Sequence, residues 1–336
     1  MTNKKIWATT LALLLSALIC DSKTGVPCPP KCKCRFRQKS AKCGGLQTIP
    51  KLPHYVKHVL FAGTNFTTVS DVLLFNLSQN TIASLDFVDT NTVNVEPDAF
   101  SAFLNLTHLS FDSNRKLNPD VVPAFLNQTL NLHEINLESN GWNSIPVFMF
   151  AGLQDSLLKK ISLKNNNIKY VSASFFSDVH SLEQLDLSRN DLTEFNTTGF
   201  ESTNILTVNI GFNHLLHIPS FCGPLGTKTG NYTTLDLTSN PVYSLNQSSF
   251  SCLRNLRTLK LDEISVRELK NNTFADLPRL RSLKMNSNSV HINRIELSAF
   301  NSSSLQRLSF GANRFRFDRQ NNSNLRMFSF SAELVP

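Results

Sequence analysis

The chain has 336 residues, a formal charge of +8 at neutral pH and 25 phenylalanines. Its longest apolar run, Leu11 to Ile19, is shorter than the roughly 20 residues a bilayer requires, which excludes a membrane span within the sequence given. The net charge conceals an order: residues 31–57 hold eight Lys or Arg and no acid, residues 278–336 hold nine basic and three acidic side chains, and residues 58–277 hold thirteen basic and twenty-one acidic ones. Basic ends around an acidic middle give the molecule a directional field.

Lys4 and Lys5 followed by Leu11–Ile19 read as the basic and apolar parts of a secretory signal, assigned to residues 1–22, with cleavage between about Ala17 and Gly25. The expected location is therefore extracellular or luminal: a secreted protein, or the ectodomain of a single-pass receptor at the cell surface or in an endosome. Cys20 leaves with the signal. Cys28, Cys32, Cys34 and Cys43 crowd into sixteen residues, and behind a signal they predict two disulfides stapling a cap over residues 26–54. Zinc is the alternative that a reducing compartment would favour. Asn-x-Ser/Thr sequons stand at Asn65, Asn76, Asn105, Asn127, Asn196, Asn231, Asn246, Asn271, Asn301 and Asn321. A glycan is bulky and hydrated, so every occupied site must face solvent.

From residue 55 onwards the sequence repeats. Leu182–Leu192, LEQLDLSRNDL, fits L-x-x-L-x-L-x-x-N-x-L throughout, and the same frame opens at Leu132, Leu158, Tyr232, Leu280 and Leu305. Weaker copies begin at Val56, Ile82, Leu106, Ile205, Leu256 and Leu325, so residues 55–336 predict about twelve coils of roughly 24 residues, the last incomplete. Frame positions 4 and 6 alternate inward along a short strand, and the strands stack in parallel. The Asn at position 9 (Asn114, Asn140, Asn166, Asn190, Asn213, Asn240, Asn288, Asn313) is predicted to satisfy backbone groups of adjacent coils where the chain leaves the strand. Phe100, Phe150, Phe176, Phe200, Phe250 and Phe274 each lie eighteen residues after a repeat start, which predicts an aromatic column filling the convex side.

The pattern breaks in places. Thr90 and Ile264 replace the ladder Asn, so those turns are satisfied another way or loosened. Ser220–Asn231 is Gly-rich and off-pattern, a predicted loop, with Cys222 and Cys252 in neighbouring units expected to bridge across it. The chain stops at Pro336 inside a coil, and an uncapped terminal coil exposes a core face. The expectation is a fragment that is poorly soluble without a C-terminal cap.

The cysteine cluster followed by the strand-like run Leu46–Pro53 resembles the N-terminal cap of extracellular leucine-rich-repeat proteins. That resemblance implies pairing of Cys28 with Cys34 and of Cys32 with Cys43. The unit length, the Phe in each second half, the density of sequons and the irregular unit lengths together resemble the N-terminal part of a Toll-like receptor ectodomain, over essentially the whole mature chain. The implied fold is an α/β leucine-rich-repeat solenoid, a horseshoe with a parallel sheet on its concave face and loops with short 3-10 or helical turns on its convex face. The implied function is recognition of a microbial ligand, with signalling through a receptor homo- or heterodimer and membrane attachment only through parts beyond Pro336. A secreted or matrix adhesion protein, or a repeat-based antigen receptor, is the alternative.

No enzyme is expected. Ser156–Lys159 and Lys228–Gly230 mimic two fragments of a penicillin-binding serine site, but Leu158 opens a repeat and the third fragment is missing. No catalytic, cofactor-binding or metal-binding constellation emerges, and His214 with His217 lacks a third ligand at usable spacing. His108 and His133, near the concave face in successive units, suggest a charge change near pH 6 that would strengthen binding to an acidic ligand. Lys159, Lys160 and Lys164 in one unit, and Arg257, Lys260, Arg281, Lys284 and Arg307 over three more, form the candidate ligand-binding surface, the second group as a basic stripe suited to phosphates or other polyanions.

Overall fold

A computed structural model describes residues 26–222, 230–316 and 333–334. The signal segment, the sequon at Asn321, the repeat start at Leu325, most of the Gly-rich loop and the Lys228–Thr229 pair lie outside them. The fold is an α/β solenoid organised by one fourteen-stranded sheet. An antiparallel hairpin, Cys32–Arg35 with Ser40–Gly44, starts it, and from Ser40–Gly44 onward each strand pairs in parallel with the next coil. The strand order follows the sequence to Arg307–Ser309, interrupted only by two-residue strands that form separate pairs outside the sheet.

The repeat frame explains the placement. In the unit starting at Leu182 the strand is Gln184–Asp186, frame positions 3 to 5, and it pairs Leu185 with Ile161 on one side and Val208 on the other. Positions 4 and 6 are buried in every described coil, from Val59 and Phe61 to Leu308 and Phe310. Position 8 turns the chain away from the sheet through a left-handed conformation: Asp89, Ser113, Ser139, Asn165, Arg189, Phe212, Ser239, Glu263, Ser287 and Ala312 all have φ between 51° and 61°. Gly63 takes that place in the first coil at φ 57°, where it carries no Cβ penalty.

One residue later the asparagine ladder closes the turn. Asn166 is typical: its Oδ1 accepts from the backbone N–H of Asn140 and Trp142, while its Nδ2 donates to the carbonyls of Leu137 and Leu163. At Thr90 the ladder is repaired from the next coil, since Asn114 Oδ1 accepts from Thr90 N, Thr90 Oγ1 and Thr92 N. At Ile264 it is rerouted: Asn288 Nδ2 donates to Val266 and Val290 rather than to a position-6 carbonyl. Thr64 occupies the first rung, buried with its hydroxyl unpartnered.

The convex side is filled by rings. Phe150, Phe176 and Phe200 stack at centroid distances of 5.1 and 6.3 Å, and Phe250, Phe274 and Phe300 at 5.7 and 5.9 Å. Phe125, from the helix Val122–Leu126, takes the column in the coil whose frame offers Ala124, 5.8 Å from Phe100. Tyr232 and Phe221 bridge the gap beyond Phe200. Serine and asparagine caps start several of the one-turn helices, as Ser172 does for Ala173–Phe176 and Asn246 for Gln247–Phe250.

One expectation needs correction. Leu46–Pro53 is not a strand: Leu46, Ile49 and Leu52 are buried as an irregular strap. Pro50 and Pro53 lack the N–H a ladder needs, and the sheet edge beside His58–Ala62 is already taken by Ser40–Gly44. At the far end the last described strand, Glu333–Leu334, pairs Leu308 with Leu334.

Candidate functional site

Frame positions 3 and 5 put side chains on the concave face, and reading them across the sheet gives its charge. Position 5 carries Asp86, Ser110, Asn136, Ser162, Asp186, Asn209 and Asp236, then switches sign to Lys260 and Lys284. The centre is a tightly bonded polar surface. Asp186 accepts from the backbone and hydroxyl of Ser188 and, through its other oxygen, from Asn209 Nδ2. Ser162 donates to Glu138. A cleft of about 330 Å³ lies here, lined by Glu134, Glu138, Lys160, Gln184, Asp186 and Lys260 among others.

The structure separates the candidate lysines into two kinds. Lys159 stands 2.9 Å from Glu183, Lys160 3.8 Å from Glu134 and Lys164 4.0 Å from Glu138. Each lysine of the first candidate group thus has a carboxylate within 4.0 Å. Lys260 in the second group is held by Asp236 at 2.8 Å. Arg257, Arg281, Lys284 and Arg307 are exposed and make no ion pair among the described residues. They lie on adjacent strands, with Lys260 beside Lys284 and Ser282 beside Arg307. Asp262 accepts from the backbone and side-chain amides of Asn286 and Glu263 from the Ser239 hydroxyl, and among the described residues neither forms an ion pair with this stripe.

The cap end is basic as well. In the hairpin register Lys33 lies directly opposite Lys42, and Arg35 opposite Ser40, all on the face away from the buried Ala41 and Cys43. His58 and Leu60 continue that face on the next strand. A cleft of about 310 Å³ sits among these residues, with Asp86 at its far edge. Burial holds the Asp86 carboxyl above its usual range, against a hydrogen bond from Ser84 and the charges of His108 and His58, which pull it down. His108 approaches Glu134 at 3.5 Å, while His133 is half-buried with Nδ1 unpartnered.

The cysteines are joined as Cys28–Cys34, Cys32–Cys43 and Cys222–Cys252. Of the sequons within the described residues, Asn65, Asn105, Asn127, Asn196, Asn231, Asn246, Asn271 and Asn301 are exposed and Asn76 is half-buried. None lies on a strand of the main sheet. Several engage only their carbonyl oxygen, leaving Nδ2 for a sugar: Asn196 accepts from Thr198, Asn246 from Ser249 and Asn271 from Ser298. Asn76 instead donates Nδ2 to the Ile49 carbonyl at 2.8 Å.

Sequence reasoning missed one surface. On the flank where the chain leaves the strands, Arg189 lies 4.2 Å over the Phe212 ring, His214 approaches Asp191 at 3.5 Å, and Tyr243 hydrogen-bonds His217 at 2.9 Å. Leu216 and Tyr243 are about half exposed. Among the described sequons only Asn65 falls on this flank. The signal was present at position 8, where Phe212 puts a bulky ring in the left-handed conformation that neighbouring coils give mostly to small or polar residues. An L-residue there costs about 1–2 kcal/mol, and a ring held in that conformation on the surface points to use rather than packing.

The leucine rich repeat family pattern matches residues 130–192, 156–215 and 231–290. Keratocan of Danio rerio is 25% identical over 272 residues, 66% of this chain and 74% of keratocan. Lumican of Bos taurus is 27% identical over 197 residues, 51% of this chain and 56% of lumican. The TLR13 chain in its complex with ssRNA13 superposes with a TM-score of 0.62 at 18% identity, covering 87% of this chain and 46% of TLR13. Toll in its complex with Spatzle gives 0.51 at 14% identity, covering 89% of this chain and 53% of Toll. The chain thus spans about half of lumican and of either receptor chain.

Proposed function

Taking as premise a chain that is a leucine-rich-repeat solenoid in its repeats, its fold and its relatives, we propose that it is the ligand-binding ectodomain of a Toll-like pattern-recognition receptor. It takes a microbial ligand on its concave face or exit flank and signals by bringing two ectodomains together. The observation that carries this reading is the distribution of sequons. Those among the described residues fall on the convex side and on the flank entering the strands, and beyond Asn65 they leave the described sheet and exit flank bare. Sugar-free surfaces on two adjoining sides, one polar and extended, the other bearing Phe212, Leu216 and Tyr243, suit a ligand and a second copy together. The action is binding, and no residue is assigned a chemical step.

Extracellular placement accords with relatives such as keratocan and lumican, and among the described residues no helix is long and apolar enough to cross a membrane. Those same relatives favour a second reading, a secreted matrix protein. The deciding experiment screens the secreted chain against RNA, lipoglycan and bacterial protein while measuring its mass by light scattering. The receptor reading expects one ligand class to bind and to double the mass, and Phe212→Asp to keep binding but abolish doubling. Retention in the insoluble matrix of the producing cells, with no ligand bound, would select the second reading.

A further inference from the structure

We propose that the cap end of the concave face, the cleft framed by Lys33, Arg35, Lys42 and His58, binds a sulfated polysaccharide chain. The proposal applies to a receptor and to a matrix protein alike.

The first argument is the placement of charge. Lys33 and Lys42 are directly opposed in the hairpin register, an arrangement that is destabilising for like charges. Where like charges meet again, Lys260 beside Lys284, Asp236 relieves Lys260 at 2.8 Å, and Lys159, Lys160 and Lys164 likewise each stand against a carboxylate. At the cap no ion pair relieves Lys33, Arg35 or Lys42 among the described residues, and Arg35 reaches only the neutral amide of Gln38, at 3.1 Å. Residues 31–57 contain no acid that a rotamer change might bring in. Among the described residues, this is where two unpaired lysines face each other in register, and the arrangement keeps an anion site open.

The cleft's shape and lining decide which anion. Its volume of about 310 Å³ admits a short stretch of one flexible chain. The lining of Lys33, Arg35, Ser40, Ala41, Lys42, His58, Leu60 and Asp86 holds no Phe, Tyr or Trp on which a base could stack, the device that single-stranded nucleic acid sites use. Asp86 repels a second anion at the far edge but offers acceptor oxygens to sugar hydroxyls. A chain with sulfates at intervals and hydroxyls between them matches cations at the cap and a carboxyl beyond. The first sequon is Asn65, so residues 26–54 carry no acceptor for an N-linked glycan over the site.

The test uses the full secreted chain on immobilised heparin fragments too short to reach from the cap to the Arg257–Arg307 stripe, titrated with salt, beside the variant K33Q/R35Q/K42Q and the comparator R257Q/R281Q/K284Q. Each phosphate- or sulfate-bound cation contributes about one to the slope of log affinity against log salt. The cap variant should lose at least about tenfold in affinity at physiological salt and about three in slope, while the comparator keeps the wild-type slope. Its melting temperature should equal or exceed the wild type's, because the substitutions remove a like-charge pair. Heparin should raise the melting temperature of the wild type and not of the cap variant. An unchanged slope in the cap variant, equal binding of unsulfated hyaluronan, or loss confined to the comparator would each overturn the proposal. Displacement of heparin by DNA of equal charge would reassign the cleft to nucleic acid.

Discussion

Replacing Asn166 by leucine tests the asparagine ladder most sharply, because the structure lets the loss be counted group by group. The Asn166 Nδ2 donates to the carbonyls of Leu137 and Leu163, but those carbonyls also accept from Asn140 Nδ2 and Asn190 Nδ2. They keep a partner in the variant. The N–H groups of Asn140 and Trp142 have no acceptor other than Asn166 Oδ1, at 3.0 and 3.2 Å. Two buried donors are orphaned at about 1–3 kcal/mol each, less the gain from burying an apolar side chain, so a loss of about 3 kcal/mol is expected. Asn190→Leu orphans only the Ile168 N–H and should cost about half as much by the same count. Native-state hydrogen exchange gives the assay. Protection should fall at Asn140 and Trp142 in the first variant and at Ile168 in the second, with distant coils unchanged because each coil contacts only its neighbours. Equal losses in the two variants, or a loss below about 1 kcal/mol in Asn166→Leu, would refute this accounting of backbone satisfaction.

Asp86 makes stability depend on pH in a stated direction. Burial raises its folded pKa above the unfolded value of about 3.9. The native state therefore holds the proton longer, and stability falls as pH rises through that window and stays lower above it. Asp86→Asn should be more stable than the wild type to denaturant at pH 7, with the gain vanishing below about pH 4. Gly199→Ala should cost about 3 kcal/mol or more in denaturant unfolding, since φ is 119° there and a Cβ would come within 2.6 Å of Ser174 N and Cα. Glycopeptide mass spectrometry should find Asn76 the least occupied of the described sequons, because its Nδ2 is engaged with Ile49. Full occupancy there would show that the strap moves aside during secretion.

The coils were legible because solenoid geometry is local and periodic. A strand at positions 3 to 5, inward residues at 4 and 6 and a ladder at 9 follow from spacing alone, and Phe at the nineteenth position found its column. Ala124 shows how a one-residue slip is absorbed, with Phe125 entering from a short helix. The state of the lysines was not legible along a single unit, since the partners of Lys160, Lys164 and Lys260 lie in the preceding coil. Aligning the units side by side exposes those pairs: Asp236 and Lys260 share frame position 5 and adjacent strands. The strap at Leu46–Pro53 buries Leu46, Ile49 and Leu52 at a spacing of three rather than the two of a strand, and its prolines and an occupied sheet edge exclude it from the sheet. Phe212 was overlooked because its meaning lies in a backbone conformation, not in a motif.

Pairing between coils also changes what the charge order means. Because the central lysines spend their charge on neighbouring acids, the unpaired cations are left at the two ends of the concave sheet, near Lys42 and near Lys284. From the strand of Lys42 to the strand Thr258–Lys260, which the unpaired Arg257 precedes, there are nine strand steps, about 43 Å along the sheet at about 4.8 Å each. Between them Asp86, Asp186 and Asp236 repel an anionic chain. A polyanion shorter than that span can engage only one end, whereas a longer one can engage both and gain avidity without any new contact. Affinity for size-graded heparin fragments should therefore rise in two stages, with the second stage beginning once a fragment spans about 43 Å. The cap substitutions should remove the second stage, leaving whatever the Arg257–Arg307 stripe supplies alone. A smooth rise with length, unaffected by either set of substitutions, would mean that the acidic centre is no barrier and that the ends do not act as separate sites.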